Sequence, residues 1–196
     1  MRFLRASVIA AAAVLLVVGF GQADSGGITQ KGKYVVWYDG PELKAELVYR
    51  WANDHLGDEW LVLKLSITSD HRGASNVDRS SITLRAPDGR TLPLMDQKTF
   101  REIYPQVRVA LERTDAWGPP VRRLDSFNWR CEFWFLAPPF STFDRESLRL
   151  NPGSWCNGPL VFRPPAGVQP GRWVLVIDLE ESQARIPFEL ETNRKR

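Results

Sequence analysis

Apolar and polar residues alternate with period two along much of the chain. Between Leu43 and Trp51, the odd positions Leu43, Ala45, Leu47, Tyr49 and Trp51 are apolar, and Lys44, Glu46 and Arg50 fall on the other side. From Trp60 to Thr68, Leu61, Leu63, Leu65 and Ile67 repeat the pattern. Alternation of this kind marks strands with one buried face. The polar run Asn53 to Asp58 between the two segments carries turn residues, so the pair reads as a hairpin. Ser80–Leu94 reads as a second hairpin around Pro87-Asp88-Gly89-Arg90, where proline presets φ and glycine accepts positive φ. Further strands are expected at Tyr34–Tyr38, Trp129–Phe135, Leu160–Phe162, Trp173–Leu179 and Ala184–Leu190. Pro187 cannot donate to a ladder, which places the last strand at a sheet edge.

One segment departs from this period. From Gln97 to Arg113, Phe100, Ile103, Tyr104, Val107 and Leu111 recur at helical spacing. Pro105 falls inside the run and predicts two short helices, or a helix and a turn. Seven or more short strands with frequent turns predict a mainly β fold, an antiparallel β-sandwich with a short helical insert near 97–113.

The N-terminus adds a compartment. Arg2 and Arg5 precede an uncharged run from Ser7 to Phe20, and Gly21 and Ala23 supply small residues for cleavage. This is the pattern of a secretory signal over residues 1–23, too short for a membrane-spanning helix. The remaining residues, 24–196, suit a single domain. No second apolar segment reaches membrane-spanning length. The expected location is periplasmic or extracellular. The 26 Lys+Arg and 23 Asp+Glu are interleaved, and the leader removes Arg2 and Arg5 but no acid. A near-neutral domain without a basic stripe argues against nucleic acid as a partner. The only two cysteines, Cys131 and Cys156, are expected to pair in an oxidising compartment. Cys131 falls on the inward face of a strand, Cys156 in the Gly/Pro-shaped loop Asn151–Gly158. Reduction is therefore expected to loosen that loop.

The closing stretch carries a resemblance. It runs Gly158-Pro159-Leu160-Val161-Phe162, then Pro170-Gly171-Arg172-Trp173-Val174-Leu175-Val176-Ile177, then Arg185-Ile186-Pro187-Phe188-Glu189-Leu190. This is similar to the final hairpin of exported bacterial immunoglobulin-like domains, in which a Pro-Gly turn precedes a G-x-W/Y-x-L-x-V strand. Glu59–Leu94, with its Pro-Asp-Gly turn, resembles the telokin-like group of these domains. The resemblance implies a binding or scaffold domain, not an enzyme.

Candidate chemistry is sparse. His55 and His71 are the only histidines, and neither sits in a recognisable nucleophile–base signature. With Asp54, Asp58 and Asp70 they match no strong metal-ligand spacing. Glu180-Glu181 are adjacent, so their carboxyl groups point apart, unlike a glycosidase pair. No catalytic residue, metal or cofactor is expected. The tryptophans remain. Trp51, Trp129 and Trp173 follow apolar stripes and are expected in the core. Trp60 and Trp134 lie opposite a stripe, and Trp117 and Trp155 lie in loops. These last four are candidate contacts for a glycan or a protein partner. The expected function is a non-enzymatic binding or scaffold domain of the cell envelope, with a glycan- or peptidoglycan-binding module as the alternative.

Overall fold

The computed structural model describes residues 27–70, 73–116, 131–132, 135–141 and 144–192. The expected signal sequence (residues 1–23), His71, Trp117, Trp129 and Trp134 lie outside them. The fold is mainly β. Gly27–Gln30 (β1), Val35–Asp39 (β2), Leu43–Val48 (β3) and Leu61–Ser69 (β4) follow one another, with the short helix Arg50–Asp54 (α1) between β3 and β4. Ser75–Asp78 (β5), Ile82–Arg85 (β6) and Thr91–Pro93 (β7) lead into the helix Gln97–Ala116 (α2). The chain closes with Cys131–Glu132 (β8), Ser147–Leu150 (β9), Cys156–Phe162 (β10), Gly171–Asp178 (β11) and Gln183–Leu190 (β12).

These strands form a six-stranded sheet, β1-β2-β3-β4-β10-β8, and a four-stranded sheet, β12-β11-β6-β7. β5 and β9 make a separate antiparallel pair. Among the described strands, every pairing is antiparallel except β10 with β8. The period-two stripes explain the layering. Val36, Tyr38, Ala45, Leu47, Leu63, Leu65 and Leu160 form one face of the larger sheet. Ile82, Leu84, Trp173, Leu175, Ile186 and Phe188 form the matching face of the smaller one. Both sets belong to one continuous core, the arrangement of a β-sandwich.

The two expected hairpins are present. β3 pairs with β4, and β6 with β7. Gly89 at the tip of the second has φ +86°, as a Pro-Asp-Gly turn requires. β12 lies at an edge of its sheet, where the missing N–H of Pro187 costs no ladder bond. Among the described residues, β8 meets β10 at Cys131 and Glu132.

Four expectations need correction. First, the strand expected to run to Trp51 stops at Val48. Its partner β2 begins at Val35, opposite Val48, so the ladder runs out there. The chain then closes a helical bond from the Asn53 N–H to the Tyr49 carbonyl, at 3.1 Å. Trp51 is consequently half-buried, stacked on His55 at 3.6 Å.

Second, α2 runs unbroken through Pro105. Asp96 caps its start, accepting from the Thr99 N–H at 2.9 Å and the Thr99 hydroxyl at 2.7 Å. Phe100, Ile103, Val107, Ala110 and Thr114 form one buried stripe that anchors both halves. Pro105 lies on the exposed side, where water can satisfy the Arg101 carbonyl that proline cannot reach.

Third, Cys156 is not a loop residue but the buried first residue of β10, and Cys131 is only half-buried. The two stand opposite each other in the parallel β8–β10 pair and are bridged. The disulfide thus joins two neighbouring strands of one sheet. Fourth, β1 and the β5–β9 pair add strands that alternation does not mark, because four-residue strands with exposed residues carry little period-two signal. The strand expected over Trp129–Phe135 is described only at Cys131–Glu132, followed by a buried Phe135. Among the described residues, no helix is long and apolar enough to cross a membrane.

Candidate functional site

β4 is buried along its whole length. Its leucines face the smaller sheet. Val62, Lys64, Ser66 and Thr68 point to the opposite, outer face, so something must cover them. Two structures do so: α2 over the β4–β10 side, and a pair of tryptophans toward β2.

Helix α2 is tied down at both ends. The Gln97 amide donates to the Ala137 carbonyl at 2.6 Å and accepts from its N–H at 2.8 Å. Near the other end, the Lys64 ammonium donates to the Asp115 carboxylate. Lys64 is 4% exposed and Asp115 60% exposed. The buried member of this pair sits on the sheet, and the solvated member on the helix. Between helix and sheet lies a cleft of about 460 Å³. Tyr104 and Leu111 form its helical wall, with Leu136 and Pro138 also lining it. Lys64, Asn157 and Pro159 line the sheet side, and Glu112, Asp115 and Glu132 add carboxylates. Phe140, 80% exposed, lies edge-on to Tyr104 with centroids 6.1 Å apart and extends the apolar surface. A cleft with apolar walls and a few polar groups on regular elements suits ligand or partner binding.

The tryptophan pair is Trp37, on β2, and Trp155, immediately before β10. Their rings are 5.4 Å apart and tilted by 48°. Both are half-buried. The sequence marks Trp155 as a candidate contact but gives no such sign for Trp37. The position of Trp37 opposite a buried glutamate is visible only once β2 and β3 are aligned. The register places Trp37, Glu46, Ser66, Asn157 and Glu132 in one row across β2, β3, β4, β10 and β8. Glu46 is 2% exposed and its Oε1 has no hydrogen-bond partner. Burial pushes its pKa from 4.5 up to about 7.

The other candidate positions are scattered. Trp60 is half-buried, with the Arg163 guanidinium 5.0 Å above its ring and Arg163 paired to Glu59 at 2.6 Å. Its ring face is thus occupied, and it stands apart from Trp155 in the structure. Trp117 and Trp134 lie outside the described residues. His55 has its Nδ1 2.9 Å from the Trp51 carbonyl. Among the described residues no group of three or more potential ligands could hold a metal ion. Glu180 and Glu181 border a second hollow, of about 400 Å³, with Glu42 and Asp70. There the Glu42 carboxylate accepts from the Glu181 N–H at 3.3 Å and from the Ser182 hydroxyl, holding the β11–β12 turn. Glu180 accepts from the Asn76 amide at 3.2 Å. The Glu42 and Glu180 carboxylates thus anchor this turn to its surroundings.

No family model, curated protein or solved structure matches the chain.

Proposed function

We propose that the chain is an exported, non-enzymatic binding or scaffold domain of the cell envelope, with the α2–sheet cleft as its contact surface for a protein partner. The observation that carries this reading is the cleft itself. Its helical wall and sheet floor are held in place by the Lys64–Asp115 and Gln97–Ala137 ties, and exposed Phe140 extends it toward solvent. Rigid walls lower the ordering cost of association, and an exposed aromatic beside an apolar cleft is a typical anchor. The leader sequence and the Cys131–Cys156 bridge support export. The likeness to exported immunoglobulin-like domains supports a binding role.

A photo-crosslinking residue at Phe140 tests this in intact cells. The expected result is a discrete crosslinked envelope protein that disappears when Leu111→Glu is added. A crosslinking pattern indifferent to Leu111→Glu would sink the cleft as the docking surface.

A second reading, glycan binding, is favoured by the half-exposed Trp37–Trp155 pair. Aromatic faces beside an amide and carboxylates suit sugar stacking with polar readout. Titration with peptidoglycan fragments and a polysaccharide panel should then shift tryptophan emission, and Trp155→Ala should abolish the shift. An unresponsive wild-type protein removes this reading.

A further inference from the structure

We propose that Glu46 is a proton-operated latch beneath the Trp37–Trp155 roof: neutral, it lies under closed rings, and ionised, it draws in water and parts them.

The geometry begins with the sheet register. Glu46 stands directly opposite Trp37 on β2 and opposite Ser66 on β4. Trp155 reaches Trp37 from the β10 side, so the two rings meet above the strands that lie between β2 and β10. Glu46 is 2% exposed beneath this cover, and its Oε1 lacks any hydrogen-bond partner. A buried carboxylate without a counter-charge strongly favours its neutral form.

The surrounding charges do not rescue the anion. Among the described residues, two lysines share this face. Lys44, on β3 itself, is paired with Asp39 of β2 at 3.6 Å and with Asp70, just past β4, at 3.4 Å. Lys64 of β4 is held by Asp115 of α2. Glu132 of β8 lies in the same row, three strands away. Among the described residues, both lysines on this face therefore already have an acidic partner.

Ionisation must then be relieved by water. The strands cannot yield, because continuous ladders hold β2, β3, β4 and β10 in register. The two indole rings are the half-exposed part of the cover, so they are the part that moves. Cys156 is bridged to Cys131, which holds the backbone next to Trp155 and leaves its side chain as the moving element. Opening would uncover Glu46 and Ser66 beside Asn157 and Glu132, which face the cleft. The latch does not depend on what the cleft binds. Burial moves the Glu46 pKa to about 7, so the latch would operate near neutral pH.

Near-UV circular dichroism and acrylamide quenching of the full, disulfide-intact chain between pH 5.5 and 8.5 test the latch. The wild type should show a one-proton transition near neutrality, with quenching rising at high pH. Glu46→Gln should keep the low-pH signal throughout, and Trp155→Phe should lose most of the amplitude. A flat wild-type profile, a transition that survives Glu46→Gln, or one unchanged by Trp155→Phe overturns the proposal. Carboxyl 13C NMR on the wild type reads the same event without any substitution. A glutamate carboxyl titrating together with the ring signals supports it; ring signals that move with no such titration refute it.

Discussion

Breaking the Cys131–Cys156 bridge is expected to release β8 and leave β10 in place. The two cysteines are 25 residues apart. Closing a loop of that length removes about 3–4 kcal/mol of unfolded-state entropy in the chain-entropy model. With a urea dependence of about 2 kcal/mol per molar for a domain this size, the midpoint should fall by on the order of 1–2 M. The local effect is asymmetric. β10 is paired with β4 through seven residues, Cys156 to Phe162, and Cys156 lies in the core. Among the described residues, β8 pairs with β10 through two. Hydrogen exchange with and without reductant, under native conditions, should therefore show lost protection at Cys131 and Glu132. Residues Asn157 to Phe162 should exchange only with global unfolding. A Cys131→Ala/Cys156→Ala variant should behave as the reduced protein does. Loss of protection through Asn151–Leu160, with β8 still protected, would show that the bridge holds the loop and not the strand. An unchanged urea midpoint would refute the entropic reasoning.

Three further outcomes follow from the same packing. Asp115→Ala should cost about 3 kcal/mol because it strands the Lys64 charge at 4% exposure, whereas Lys64→Met leaves a solvated Asp115 and should be near neutral; chemical denaturation of both variants checks the asymmetry. The folded-state pKa of Glu46 is raised, so its stabilising contribution is complete below pH 4.5 and is lost as pH rises to about 7. At about 1.4 kcal/mol per tenfold change in proton affinity, Glu46→Gln should gain about 3 kcal/mol over wild type between pH 4.5 and 8, and urea melts at both pH values would expose a constant difference as a failure. Pro105→Ala should restore the bond to the Arg101 carbonyl on an exposed helix face, gaining about 1–2 kcal/mol and raising Tm by a few degrees; a lower Tm would mean that the proline shapes the helix for packing.

The strands with strong alternation are legible in the amino-acid pattern. β3, β4, β11 and β12 each place every second side chain on a shared face, and the Pro-Asp-Gly turn marks the β6–β7 hairpin. The helix is legible too, but its continuity is not. A proline inside a helical run reads as a break unless its carbonyl partner is known to face water. The candidate site is less legible. Trp155 stands out as a loop tryptophan, but Trp37 and Glu46 lie within ordinary strand patterns. Glu46 in particular occupies a position that alternation assigns to solvent.

The sequence by itself determined which side chains share a face, because a pleated strand has a fixed period of two. Its only two cysteines also allowed a single bridge, the one that forms. It could not say what lies on each face. That β4 is covered on both sides, that Cys131 and Cys156 stand on neighbouring strands, and that Glu46 lies beneath two indoles were decided by the tertiary structure. The physical reason is that cover comes from residues distant in the chain. Trp37 meets Trp155, and Lys64 meets Asp115, only after the strands have taken their order and register.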